Sequence, residues 1–238
     1  MFSVLALGLL IGMQHALEAD HVAAVAAIAA RQTSRRRIVV HGAVWGLGHT
    51  LALMAAAAAV MLFGLAIGET LAARFELVVG IMLVALGGHL VYRLVRDRVH
   101  FHSHRHADGV VHFHAHSHRG EDRDHGRSDH DHDHPRGLPV RTLVVGMVHG
   151  LAGSAALLIL TASTVQAPAL GLAYVALFGI GSIAGMAALS ALMAVPLGWS
   201  ARALTWAHGC IRGAVGAATA VLGAVLISET WRLALATS

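Results

Sequence analysis

A run of ionisable residues inside an otherwise lipid-soluble stretch constrains this chain more than any other feature. Gly12-Met13-Gln14-His15-Ala16-Leu17-Glu18-Ala19-Asp20-His21 lies within an apolar segment covering residues 2–30. A carboxylate near a bilayer midplane costs about 2.5–3.5 kcal/mol on insertion scales, so such residues are rare there and mark function. Two imidazoles and an aspartate at His-x4-Asp-His spacing are donors that suit a divalent first-row metal ion. They have no inexpensive structural purpose in lipid, so the segment reads as a metal site within the membrane.

Composition supports a membrane setting. The chain has 238 residues, 56% hydrophobic and 13% charged, with a mean hydropathy of +0.66. Soluble domains carry about 25% charged residues. Barrel strands would alternate polar and apolar positions, whereas these segments are continuously apolar and rich in Ala, Leu and Gly. All 17 cationic side chains are Arg. They are scattered over short loops or set among acidic residues, so they read as topology-setting charge, and no nucleic-acid partner is expected despite a pI near 10.5. Cys210 is the single cysteine, which excludes a disulfide framework and a thiolate cluster. No basic segment precedes the first apolar run, and that run continues through the His/Asp motif, so a cleaved leader is not expected.

At about 20 residues per span, six helices fit, over residues 2–30, 38–67, 75–95, 140–165, 168–199 and 209–231. Arg31, Arg35, Arg36 and Arg37 follow the first. Arg93, Arg96 and Arg98 follow the third, and Arg202 and Arg212 flank the last turn. The opposite ends offer Glu69 with Arg74, an uncharged turn at Gln166, and Arg232. The positive-inside rule then places both termini outside and the long loop in the cytoplasm.

The two halves resemble each other. Gly12-Met13-Gln14-His15-Ala16-Leu17 is answered by Gly146-Met147-Val148-His149-Gly150-Leu151, and Trp45-Gly46-Leu47-Gly48-His49 by Phe178-Gly179-Ile180-Gly181-Ser182. Gly80 and Gly87 correspond to Gly216 and Gly223. Three spans is an odd number, so the second copy must enter the membrane from the opposite side, an arrangement that transporters use with a site at the midplane. The expected fold is therefore an all-α polytopic membrane protein of six transmembrane helices in two inverted three-helix repeats. Residues 1–95 form the first repeat with the metal motif, 96–139 a cytoplasmic His-rich loop, and 140–238 the second repeat. Asp20 and His21 align with Ser154 and Ala155, so the donors survive mainly in the first copy.

Counted from the cytoplasmic helix ends at 1.5 Å per residue, Asp20, His21, His49 and His149 fall within about one helical turn of the same depth. His15 lies about 9 Å further out by the same rise. A regular helix would point His15, Asp20 and His21 in three directions, so one ion meets them only if the first helix breaks near Leu17–Ala19. Without such a break the ion would move between successive positions, one using His15 and one using Asp20, His21 and His49. The favoured geometry is a broken helix with His15, Asp20, His21 and His49 converging and His149 facing them. His149 reads equally as a ligand and as a relic of the repeat. His41 and His89 read as packing or interface residues, and Met13, Met54, Met147 and Met186 as packing rather than soft ligands. Glu18 is open between second carboxylate, proton carrier and partner of an Arg. The Gly-x3-Gly pairs, such as Gly8/Gly12 and Gly146/Gly150, suit close helix contact.

Twelve of the 19 His lie in the loop, with eight acidic residues. His100, His102, His104 and His106 are followed, across Ala107-Asp108-Gly109, by His112, His114, His116 and His118. A three-residue turn would make a hairpin pairing His104 with His112 and His106 with Val110, all eight imidazoles on one face. A disordered polar tract is the preferred reading for the metal-free loop, and for 129–134 in particular. Such tracts bind divalent metals loosely, so the loop reads as an auxiliary collector, buffer or sensor, suited equally to delivery to an exporter and to regulation of an importer.

His15-x4-Asp20-His21 resembles the signature of the nickel/cobalt transporter (NiCoT/NicO) family, and Leu47-Gly48-His49-Thr50 resembles its second motif. The family's high-affinity importers have eight spans and acidic motifs in the second half. His149-Gly150-Leu151-Ala152-Gly153-Ser154-Ala155 has no carboxylate, and the chain looks more like the six-span branch with urease-accessory-type and efflux-type members. The resemblance implies a non-enzymatic inner-membrane permease moving Ni²⁺ or Co²⁺, with these His and Asp residues in recognition and no cofactor. Its implied partners are the ion, membrane lipid, and a cytoplasmic metallochaperone or a second copy of the chain. Zn²⁺ or another divalent ion is the nearest rival cargo. A membrane-embedded sensor built on the loop is a second rival. His15-x4-Asp20 also matches the core of glycerolipid acyltransferases, but that chemistry needs the pair at the membrane surface. No phosphate-binding loop is present, so a gradient, the membrane potential or a partner subunit would supply energy.

Overall fold

The computed structural model describes residues 2–32, 34–65, 68–96, 100–105, 111–116, 139–152, 167–203 and 205–235. Seven helices occur among them: α1 Phe2–His15, α2 Ala19–Ala29, α3 Arg35–Phe63, α4 Glu69–Arg96, α5 Val140–His149, α6 Pro168–Ala203 and α7 Thr205–Leu235. Four of these are long and apolar enough to cross a membrane, namely α3, α4, α6 over Pro168–Leu197 and α7 over Gly209–Leu235. The shorter apolar helices include α2, α5 and the Ala6–His15 part of α1.

The first expected span is two helices. α1 stops at His15, Leu17 and Glu18 donate their backbone N–H groups to the carbonyls of Gln14 and His15, and α2 starts at Ala19. The break sits at residues 16–18, beside the Leu17–Ala19 position where the site geometry requires one. α5 ends in the same way at the aligned His149: Leu151 and Ala152 donate to Val148 and His149. The rest of the expected 140–165 span lies mostly outside the described residues.

Local chemistry sets the other boundaries. Ser34 caps α3, its hydroxyl accepting from the Arg37 N–H at 3.3 Å, and Gly64 ends it at φ 65°, a left-handed conformation that glycine adopts without a Cβ clash. Pro168 opens α6, where its missing N–H costs nothing.

The described bundle is all-helical, as expected, and the correction concerns the loop. β1 His100–Arg105 and β2 Val111–His116 form an antiparallel two-stranded sheet, so this part of the loop is not the disordered tract preferred from composition. The register pairs His100 with His116, His102 with His114 and His104 with His112. Histidine at every second position is a strand period, and that alternation outweighs the polar composition. The expected His106–Val110 pair lies outside the described residues, as do His118 and 129–134.

α4 packs along α7, α3 along α6, α1 against α6 and α5 against α3. Glycine permits these approaches. A Cβ on Gly12 would strike the Phe178 carbonyl, and one on Gly146 the Trp45 carbonyl. Gly48 stands likewise against Leu143 and Gly181 against Leu9; Gly87 meets Gly216, and Gly80 meets Gly223. Without a hydrophobic effect between helices in lipid, such backbone-to-backbone contact is what holds spans together. The interior collects Ala16, Ala24, Val25, Trp45, Val79, Leu83 and Met186. The outer surface carries Leu10, Leu51, Phe63, Ile81 and Val195, side chains suited to an acyl-chain environment.

Gly146→Ala is expected to force α5 away from α3 and to destabilise the protein by about 1–3 kcal/mol, the usual cost of overpacking. Thermal unfolding in detergent measures this, and Gly88→Ala, whose Cβ meets nothing within 4 Å, is the control.

Candidate metal centre

The break in the first span turns three directions into one. His15 closes α1, a short turn follows, and Asp20 and His21 enter from the first turn of α2. His49 arrives from the middle of α3 and His149 from the last turn of α5. Ring centroids of His15 and His21 are 4.3 Å apart, His15 and His49 5.1 Å, His21 and His49 5.2 Å, and His21 and His149 4.3 Å. All four imidazoles are buried, none more than 6% exposed.

Two carboxylates set the tautomers. Glu18 Oε1 lies 2.8 Å from His15 Nδ1, and Asp20 Oδ1 lies 2.9 Å from His21 Nδ1. An ionised carboxylate only accepts, so each Nδ1 carries the proton and each Nε2 keeps its lone pair. This is the outer arrangement usual around metal-binding histidine, where the carboxylate orients the ring and raises its basicity. Asp20 also accepts from the His21 backbone N–H, and its Oδ2 accepts from His149 Nε2, both at 2.9 Å. One carboxylate therefore ties α2 to α5.

Nitrogen lone pairs remain. His21 Nε2, both ring nitrogens of His49 and His149 Nδ1 are buried without a hydrogen-bond partner. Leaving a buried polar atom unpaired costs about 1–3 kcal/mol, and a bound cation would satisfy several of these nitrogens at once. Ligand atoms of His15, His21 and His49 lie within 4.8 Å of one another, and so do those of Asp20, His21 and His149. The C-terminal ends of α1 and α5 meet here, and the negative ends of two helix dipoles favour a cation.

All five expected ligands occupy one centre, but they group differently from the expected convergence. His15 joins His21 and His49, while Asp20 joins His21 and His149. The second grouping follows from the bond between Asp20 Oδ2 and His149 Nε2, which joins α2 to α5. Glu18, left open between three roles, orients His15. Of the eight loop histidines, His100, His102, His104, His112, His114 and His116 lie on the hairpin strands, remote in sequence from this centre, and His106 and His118 are outside the described residues. His41 hydrogen-bonds Thr142 at 2.6 Å between α3 and α5, a helix-joining role, and His89 faces outward.

Three neighbours were missed from sequence. The Trp45 ring lies 5.1 Å from His149 and 5.4 Å from His21, and Phe178 lies 5.1 Å from His15. Both look like ordinary core aromatics in a sequence. Glu76 lines a cavity with Glu18, Asp20, His21 and His149. A second carboxylate inside an apolar helix was the signal for it.

The chain is 33% identical over 203 residues to the urease accessory protein UreH of Bacillus sp. (strain TB-90), covering 85% of this chain and 81% of that protein. No protein-family model and no solved structure matches it.

His49→Leu removes two unpartnered nitrogens and keeps the bulk. The metal-free variant is expected to melt at or above the wild-type temperature, while Ni²⁺ no longer raises its melting point. Loss of stability without metal would mean that His49 is a packing residue.

Proposed function

This chain belongs to the family of the urease accessory protein UreH, and on that premise we propose that it is a membrane permease for divalent transition-metal cations, Ni²⁺ or Co²⁺, working without catalysis. The observation that carries the reading is the trio His15, His21 and His49, buried, with ligand atoms within 4.8 Å of one another. An ion entering it exchanges water for imidazole nitrogens whose protons already sit on the far side of the ring, held there for His15 and His21 by Glu18 and Asp20. Nitrogen donors suit nickel and cobalt. The relative is named for urease, which favours nickel as the cargo.

In this reading the six expected spans form two inverted repeats, α1 to α4 and α5 to α7, and one repeat rocks against the other around the centre. The reciprocal glycine contacts support it. Gly12 on Phe178 mirrors Gly146 on Trp45, Gly48 on Leu143 mirrors Gly181 on Leu9, and the Gly80–Gly223 and Gly87–Gly216 pairs exchange under the same operation. The arginine distribution supports an orientation, in a bacterial inner membrane, with both termini outside and the hairpin in the cytoplasm. There the hairpin, with histidines of its two strands paired in register, serves as an auxiliary metal store, from which a metallochaperone or second copy exchanges ions. Zn²⁺ is the alternative cargo, because three imidazoles with one open position are also a zinc arrangement.

Metal flux in vesicles of known orientation tests the proposal. His21→Ala is expected to lower Ni²⁺ flux by about tenfold or more, the scale on which disturbing such a shell weakens binding, while deletion of 97–138 leaves the flux measurable. Unchanged flux of every divalent ion in His21→Ala defeats it. Loss of function on loop deletion alone would favour a sensor.

A further inference from the structure

Beside the histidine trio lies a cavity of about 230 Å³ that the proposed permeation step does not use. Glu18, Asp20 and Glu76 line it, from the helix break, α2 and α4, with His21 and His149 also in its wall. Val79 and Leu226 line it as well, and both are apolar. The wall is thus three carboxylates on hydrocarbon, with buried imidazoles among them. His149 is 1% exposed, and its Nδ1 has no hydrogen-bond partner. Two of the carboxylates are partly open, the side chains of Glu18 and Asp20 being 46% and 29% exposed, in contrast to the sealed rings they orient.

Size and chemistry together define the occupant. A water takes about 30 Å³ of liquid volume, so the space holds a divalent ion with an octahedral shell of about six waters. Carboxylates hold such a hydrated ion through its waters, and imidazole nitrogen takes it once the waters leave. Glu76 lies about seven residues, or about 10 Å, inside the start of α4, whereas the hairpin follows the far end of that helix. The cavity therefore belongs to the half of the bundle away from the hairpin.

We propose that this cavity is an antechamber in which Glu76, with Glu18 and Asp20, holds the hydrated divalent cation next to the histidine trio. The proposal rests on the permease reading and adds a second ion position and a residue to it. Glu76 acts on arrival and departure of the ion at that side. It is not part of the dehydrated site, so its loss changes how flux depends on concentration more than how tightly the trio binds.

The test uses the full chain in liposomes with ⁶³Ni²⁺. Glu76→Gln is expected to raise the half-saturating Ni²⁺ concentration about fivefold or more. Imidazole coordination seen by X-ray absorption at the nickel edge should be unchanged, and the exposed Glu69→Gln should behave as wild type. A wild-type concentration dependence in Glu76→Gln overturns the antechamber, as does loss of the imidazole signature, which would make Glu76 a structural support. A second readout needs no flux. In a Cys210→Ser background, Leu226→Cys is treated with a charged thiosulfonate reagent, and Ni²⁺ should slow the labelling when Glu76 is present but not in Glu76→Gln. No slowing, or equal slowing in both, refutes the proposal. Normal flux in His21→Ala would instead sink the permease reading, so the two failures are distinguishable.

Discussion

The interruption of the first span at residues 16–18 is the constraint on which the centre of this molecule depends. A continuous helix would aim His15, Asp20 and His21 at different neighbours. Two half-helices joined by a short turn aim them at one another, and the turn supplies Glu18 to hold the first ring. Interrupting a helix in hydrocarbon frees backbone groups that water cannot reach, so a break survives only where protein surrounds it or a wet cavity adjoins it. The second condition holds, since Glu18 lines the cavity, and on the inner side Ala16 is buried against Gly185 of α6.

Stability is given up at this point. His49 has two buried nitrogens without a partner, and Trp45, Ser182 and Ser190 add further unpaired polar atoms along the same interior. The close glycine contacts supply the opposing force. They bring α1 to α6 and α5 to α3 at backbone distance, where dispersion accumulates over many atom pairs. The framework around the centre is therefore stiff, while the centre itself lacks bonding partners. That combination is what a preorganised cation site would require, because packed rings that cannot relax toward one another leave their nitrogens available to a ligand.

Much of this is legible in the sequence, for a physical reason. Lipid penalises polar residues, so His15, Asp20, His21 and His49 stand out against their surroundings, and the mismatch of His-x4-Asp-His with a 3.6-residue turn demands a break. Pairing was harder to read. That Asp20 serves His149 while His15 serves His49 depends on the direction α2 takes after the turn, which no spacing encodes. Glu76 was visible as a charge in an apolar helix, but its partners come from two other elements. At His100–Arg105 and Val111–His116 composition points to a disordered tract, whereas the alternation of histidine carries the strand signal. The aromatic neighbours Trp45 and Phe178 carried no signal, since a ring near a metal and a ring in a core have the same sequence.

His21 belongs to both ligand trios, and this sharing has a consequence for occupancy. Two dications seated on neighbouring groups about 5 Å apart would repel by on the order of 10 kcal/mol even at an effective dielectric constant of 20. In the permease reading the two groups could therefore not be filled together, and His21 would be the pivot that admits one cation at a time.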